Sequence, residues 1–251
     1  MFNGGRGRDR EHGTGGGGFE LFPKDSPHEI ATLGKNKFPD KASSFIWLII
    51  FYTNDSPKCK EIQPLLQKHA KNIRGIYKIG AINCNRNPKE SDFCTEKHAN
   101  KFPSFGVVAD GEFLKYENTK TKSSLLMKSI HEFVIKNMPY NLVKVVNSQV
   151  KLEMLLHRPA RERKMIGSIL LLTDKYETSP KFASLAYEFR KHFIFGESRA
   201  KTLSMAKHFK VRKYPVIIAF VKKSRSKDFK TIRLDDFKSE DLGKFIKQFI
   251  K

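Results

Sequence analysis

Phe45-Ile46-Trp47-Leu48-Ile49-Ile50-Phe51-Tyr52-Thr53-Asn54-Asp55-Ser56-Pro57-Lys58-Cys59-Lys60 is the stretch from which the architecture can be worked out. Its first eight residues are an unbroken apolar run, which reads as a central strand of a parallel or mixed sheet covered on both faces. A polar turn follows. Ile62, Leu65, Leu66 and His69 continue at helical spacing, so the sequence predicts a helix over Cys59 to Asn72. Further on come a strand over Ile76 to Asn83, a second helix from near Asp92, and a return to the sheet at Phe102-Pro103-Ser104-Phe105-Gly106-Val107-Val108. Leu126, Ile130, Phe133 and Val134 mark an amphipathic closing helix over Leu125 to Lys136.

The pattern repeats. Ile166 to Leu172 is a second apolar strand, followed by a helix over Pro180 to His192, a strand over Phe193 to Phe195 and a helix over Ala200 to Phe209. Tyr214-Pro215-Val216-Ile217-Ile218 returns to the sheet, and Leu242 to Ile250 closes as an amphipathic helix. Pro103 and Pro215 lie 112 positions apart, about the length of one small domain. Two copies of a β-α-β-α-β-β-α unit are the economical reading, with a boundary near Met138-Pro139. Ahead of them, residues 1–18 hold 8 of the 16 glycines, too dense in backbone freedom to order. The expected organisation is a flexible Gly/Arg/Phe-rich tail at 1–22, one domain at 23–138 and another at 139–251.

Composition narrows the class. The chain has 251 residues, enough for one or two ordinary cores, and its 39% hydrophobic content with 21 Phe excludes a wholly disordered chain. No apolar run approaches the roughly 20 residues of a membrane span, and the start at Met1 lacks the apolar core of a signal peptide. There are 48 Lys and Arg against 26 Asp and Glu, a net charge of +22. Residues 140–251 carry 26 basic and 11 acidic side chains, so most of the excess lies in the second half. It concentrates at Arg158 to Lys164 and Lys222 to Lys227, both expected as loops, where charge runs are usually solvated surface. Arg6, Arg8 and Arg10 are interrupted by Asp9 and Glu11, and no stacking-aromatic signature accompanies them. Nucleic acid is therefore disfavoured as a partner.

The first repeat resembles the thioredoxin fold of the protein disulfide isomerase family. Phe51 to Lys60 is similar to that family's active-site segment, Phe-Tyr-Ala-Pro-Trp-Cys-Gly-His-Cys-Lys. Pro64 matches its helix proline, Pro103 the cis-proline that faces the site, and Gly111 to Tyr116 its closing hairpin. The resemblance implies an α/β fold of two tandem thioredoxin-like domains, each a central mixed sheet flanked by helices, behind a disordered Gly-rich tail. It also exposes departures. Thiol-disulfide exchange needs a thiolate to attack and a second cysteine to resolve. Here the attacking position is Ser56, the resolving position Cys59, the tryptophan Asp55 and the buried proton-carrying acid Ile50. These losses argue against dithiol chemistry and leave Cys59 as the one candidate catalytic group. Since the family binds extended peptides beside the cis-proline, Ser56, Pro57, Phe102 and Pro103 are the implied contacts for unfolded or partly folded polypeptides. No cofactor is implied.

Non-reducing members of the same family carry a structural disulfide across the loop that here holds Cys84 and Cys94. Two reduced cysteines, or a zinc site completed by His98, are the alternatives, although Cys-x9-Cys-x3-His is not a usual zinc spacing. The second repeat has no cysteine and resembles the family's non-catalytic domains. The tail is similar to the Gly/Phe-rich stretch after the J domain of Hsp40 co-chaperones, though the chain lacks a His-Pro-Asp triplet. Together these imply part of a J-domain and thioredoxin protein of the endoplasmic reticulum lumen, reaching an Hsp70 through a J domain outside this sequence.

Overall fold

A computed structural model describes residues 20–23, 29–73, 75–117, 123–199, 202–223, 228–235, 237–238 and 241–250. It contains two five-stranded mixed sheets. The first half runs β1 (Ile30–Thr32), β2 (Trp47–Tyr52), α1 (Pro57–Asn72), β3 (Lys78–Asn83), α2 (Pro88–Glu96), β4 (Ser104–Ala109), β5 (Glu112–Tyr116) and α3 (Ser123–Lys136). The second half runs β6 (Val143–Val145), α4 (Gln149–Arg161), β7 (Gly167–Leu172), α5 (Pro180–Glu188), β8 (Phe193–Ser198), α6 (Leu203–His208), β9 (Val216–Lys222), β10 (Phe229–Asp235) and α7 (Asp241–Lys247).

The two sheets share one topology. Their orders, β1-β3-β2-β4-β5 and β6-β8-β7-β9-β10, each combine three parallel strands with two antiparallel ones. The apolar runs occupy the centres. Leu48, Ile49, Ile50, Phe51 and Tyr52 of β2 are all fully buried, so the strand needs cover on both faces. One face meets Ile62, Leu66 and Ala70 of α1 and Ile130 and Val134 of α3; the other meets Phe93 and Cys94 of α2. In the second sheet α5 and α7 cover one face while α4 and α6 cover the other.

Several expectations need correction. Helix α1 begins at Pro57 and not Cys59, because the Ser56 hydroxyl caps it. Helix α2 begins at Pro88 and not near Asp92, because the Asn87 side chain accepts from Glu90 N–H and supplies an earlier cap. The run Arg158 to Lys164 is no loop at its start: α4 continues to Arg161 with Pro159 in its last turn. A proline there withdraws one helical hydrogen bond. The orphaned carbonyl of Leu155 is instead satisfied by the buried Ser168 hydroxyl of β7 at 2.9 Å. Lys222 ends β9, while residues 224–227 lie outside the described part. The expected tail is likewise outside it as far as residue 19. Glu20, Leu21 and Phe22, assigned to that tail from sequence, are packed, with Leu21 and Phe22 buried in the first core.

The halves are docked. The Tyr187 hydroxyl of α5 accepts the Asp110 N–H at 2.6 Å, and Tyr187 and Ala183 belong to the first core. Arg190 stacks on the Tyr187 ring at 3.8 Å and donates to the Ser43 carbonyl at 3.0 Å. Lys181 donates to the Gly75 carbonyl at 2.8 Å. These contacts gather where β2 and β3 begin, so the opposite pole, where β2 ends, is left clear.

Candidate functional site

At that clear pole the chain leaves β2 at Tyr52, turns through Thr53 to Asp55, and enters α1. Ser56 is the cap: its Oγ accepts from Cys59 N–H at 3.4 Å and donates to the Phe102 carbonyl at 3.5 Å. Phe102 and Pro103 are joined by a cis peptide bond, as are Tyr214 and Pro215 in the second half. One local arrangement therefore holds Ser56, Pro57, Phe102 and Pro103, with Pro57 exposed and the other three half-buried. The apolar rings of Pro57, Phe102 and Pro103 beside a hydroxyl and main-chain polar groups can contact an extended chain.

Cys59 sits in the first turn of α1 with its side chain fully buried and not in a disulfide. A helix N-terminus and the Ser56 hydroxyl favour its thiolate. Burial outweighs both, and with the Asp55 charge nearby it pushes the Cys59 thiol above its ordinary value. Ile50, where a proton carrier would stand, is fully buried among apolar neighbours and can move no proton. The site thus holds one buried thiol at the head of α1 and no carboxyl at position 50.

Cys84 and Cys94 are joined in a disulfide with Cα atoms 5.9 Å apart, tying the end of β3 to α2. Among the described residues there is no cluster of three or more His, Cys, Asp or Glu able to hold a metal. Sequence reasoning missed a polar cluster beside the site. Glu20 accepts from Tyr52 OH at 2.5 Å, from Asn83 Nδ2 at 3.2 Å and from Arg86 Nε at 2.9 Å. Burial alone would raise its carboxyl, but the bonds from Arg86, Tyr52 and Asn83 hold it below the usual range. Leu21 N–H binds the Asn54 side chain at 3.3 Å, and Asn85 binds Asp55 at 2.8 Å, so the turn ahead of Ser56 is pinned from both sides. Partners separated by 63 and 66 residues leave no local pattern to read.

Residues 29–132 match the thioredoxin family model. A Dictyostelium discoideum protein that carries the name protein disulfide-isomerase is 26% identical over 200 residues, 76% of this chain and 46% of its own length. Human DnaJ homolog subfamily C member 10 is 30% identical over 104 residues, 41% of this chain and 13% of its own length. Among solved structures, the J-Trx1 fragment of ERdj5 matches 42% of this chain and 52% of its own at 27% identity, with a TM-score of 0.36. The chain thus spans less than half the length of these two curated relatives. Residues 29–132 thus match the thioredoxin family model, and the chain, which carries two thioredoxin-like domains, is similar to proteins named for protein disulfide isomerase and for DnaJ.

Proposed function

We propose that the chain is a redox-inactive module that binds or scaffolds unfolded or partly folded polypeptides within a J-protein and Hsp70 folding system of the endoplasmic reticulum lumen. The domain division at 138, with Glu20 to Phe22 joined to the first domain, belongs to the same proposal. One observation carries it: the attacking position holds Ser56, whose hydroxyl caps α1 against Phe102, while the remaining thiol, Cys59, is buried. A serine cannot form a mixed disulfide. A monothiol enzyme would have to present Cys59 as a thiolate, and burial opposes this. What stays accessible is a patch of Pro57, Phe102 and Pro103 next to polar main chain, suited to an extended client. Likeness to proteins named for protein disulfide isomerase and DnaJ supports the setting.

The test pairs two assays on the full chain. Insulin reduction in excess dithiothreitol is expected to stay at the uncatalysed rate, and turnover abolished by Cys59→Ser would establish the enzymatic reading instead. Fluorescein-labelled, reduced and carboxymethylated lactalbumin serves as the unfolded client. Phe102→Ala is expected to weaken its binding several-fold, and equal binding by both proteins would remove this patch from the account.

A further inference from the structure

The second half carries an unassigned surface that the reading above does not use. Strand β6 is three residues long and lies at the edge of its sheet, paired with β8 alone. Val146 N–H, just beyond it, binds the Glu197 carbonyl of β8 at 2.9 Å. Backbone groups alternate along an extended strand, so the N–H and C=O of Val145 face away from β8, on the edge where no strand of the described residues pairs with them. Beside this edge, α4 overhangs β8 and encloses a groove of about 440 Å³. Its walls are apolar, made by Val145, Met154, Leu155 and Ile194. Met154 is 61% exposed, unusual for a large apolar side chain on a groove wall, and Val145 at the strand edge is 50% exposed.

Charge marks the rim. Lys144, Lys151 and Arg158 border the groove and, among the described residues, no acidic one does. Lys144 donates to the Asn141 carbonyl and Arg158 shares its Nε with Glu162, whereas no ion pair of Lys151 is found among the described residues. We infer that β6 and this groove form a second peptide-binding surface, whose ligand is an extended segment with a large apolar residue flanked by carboxylates. The segment adds a strand to the outer edge of β6 through Val145 main chain. Its apolar side chain enters the groove against Met154 and Ile194, and its carboxylates meet Lys151 and Arg158. Strand addition supplies sequence-independent affinity while the pocket and the cations supply selection. The charge complementarity fixes the kind of partner: a basic peptide meets Lys144 and Lys151, neither in an ion pair among the described residues, and a purely acidic one leaves the apolar walls uncovered. This surface stands apart from the Ser56 and Phe102 patch and does not rest on it.

The probe is a fluorescein-labelled peptide, Asp-Val-Phe-Val-Glu-Thr, titrated by anisotropy against the full chain, alongside a Lys-Val-Phe-Val-Lys-Thr control and a Ser-for-Phe version. The acidic apolar peptide is expected to bind at least tenfold tighter than either control, with an affinity that falls as salt is raised. Met154→Glu should weaken it at least tenfold. Val145→Pro, which removes an amide outside the sheet ladder, should do the same with the far-ultraviolet spectrum unchanged. Lys151→Glu should invert the preference between acidic and basic peptides. The inference is overturned if the acidic peptide does not bind, if Met154→Glu and Val145→Pro both bind like the parent, or if Phe102→Ala abolishes binding where they do not. Equal displacement by heparin of the Phe and Ser peptides would also overturn it, because binding would then follow charge alone.

Discussion

Ser56 and Cys59 show how the head of α1 holds its form with one thiol in place of two. Oxygen in place of sulfur at the cap keeps the helix start intact, since the hydroxyl accepts from Cys59 N–H as a cap should. Ser56→Cys would place two thiols three residues apart at the head of α1. On oxidation it should form an intramolecular disulfide, seen as loss of both free thiols, while insulin turnover stays low because Ile50 still offers no proton carrier. Robust turnover would mean that the acid at Ile50 is dispensable. A separate residue-scale effect concerns pH. Tyr77 OH lies 2.7 Å from His69 Nε2 and 3.0 Å from His131 Nδ1, bridging α1 to α3. Burial, with some repulsion from His131, lowers His69 to about 4. Burial also lowers His131, against an opposing pull from Glu132. A folded-state value below the unfolded one, near 6.5, means that protonation favours unfolding. The contribution from neutral His69 is therefore whole above about pH 6.5 and is lost as pH falls toward 4. Urea midpoints should drop over that window, and His69→Phe should flatten the drop while costing about 1 kcal/mol at neutral pH for the lost Tyr77 bond. An unchanged pH profile in His69→Phe would assign the loss to other groups.

At the scale of elements, two devices hold the parts that sequence patterning does not. Pro159 interrupts the bonding of α4, and Ser168 of β7 takes the freed Leu155 carbonyl in a fully buried setting. Ser168→Ala leaves that carbonyl unpaired and should cost about 1–3 kcal/mol, measured as a shift in denaturant midpoint at constant slope. A change below a few tenths of that would mean that the helix end relaxes. The Cys84–Cys94 bond closes a short loop between β3 and α2, and loop entropy assigns it about 3 kcal/mol. The double Cys84→Ala, Cys94→Ala variant should lose stability on that order, and the parent should show one titratable thiol when denatured without reductant and three with it. These elements also explain what could be read from sequence. The strands β2 and β7 declare themselves because full burial demands unbroken apolar runs, whereas the Ser56 and Asn87 caps that start α1 and α2 early are seen only in the structure. Helix α4 does not, since Pro159 among four basic neighbours imitates a loop until Ser168 is seen beneath it. The short edge strands β1 and β6 owe their form to β3 and β8, and three residues carry too little pattern of their own. At the site, Ser56, Cys59 and Pro103 sit in recognisable local contexts, but Glu20, Asn83 and Arg86 meet across more than sixty residues.

For the whole molecule, the question is whether two similar domains act as one. The junction forms where β2 and β3 begin, far from the end of β2 that bears Ser56, so docking fixes the second domain without covering the patch at Phe102. On the readings proposed above, the Phe102 patch and the β6 edge are two separate faces for extended polypeptide, one in each half. Arg190 is the centre of the junction. Its guanidinium covers the Tyr187 ring and reaches the Ser43 carbonyl, and Ser43 Oγ in turn accepts from the Trp47 indole at 3.0 Å. Trp47 is the only tryptophan, so its fluorescence follows the first domain, while far-ultraviolet circular dichroism follows both. If docking couples the domains, the two signals should trace one transition in urea. Tyr187→Phe with Arg190→Ala removes the bond to Asp110 N–H and the cation over the ring, a loss of about 2–4 kcal/mol at the junction. The fluorescence and dichroism curves should then separate, with the midpoint of at least one domain lowered. Curves that still coincide in the double variant would show that the apolar contacts of Ala183 and its neighbours are enough to hold the domains together without Arg190.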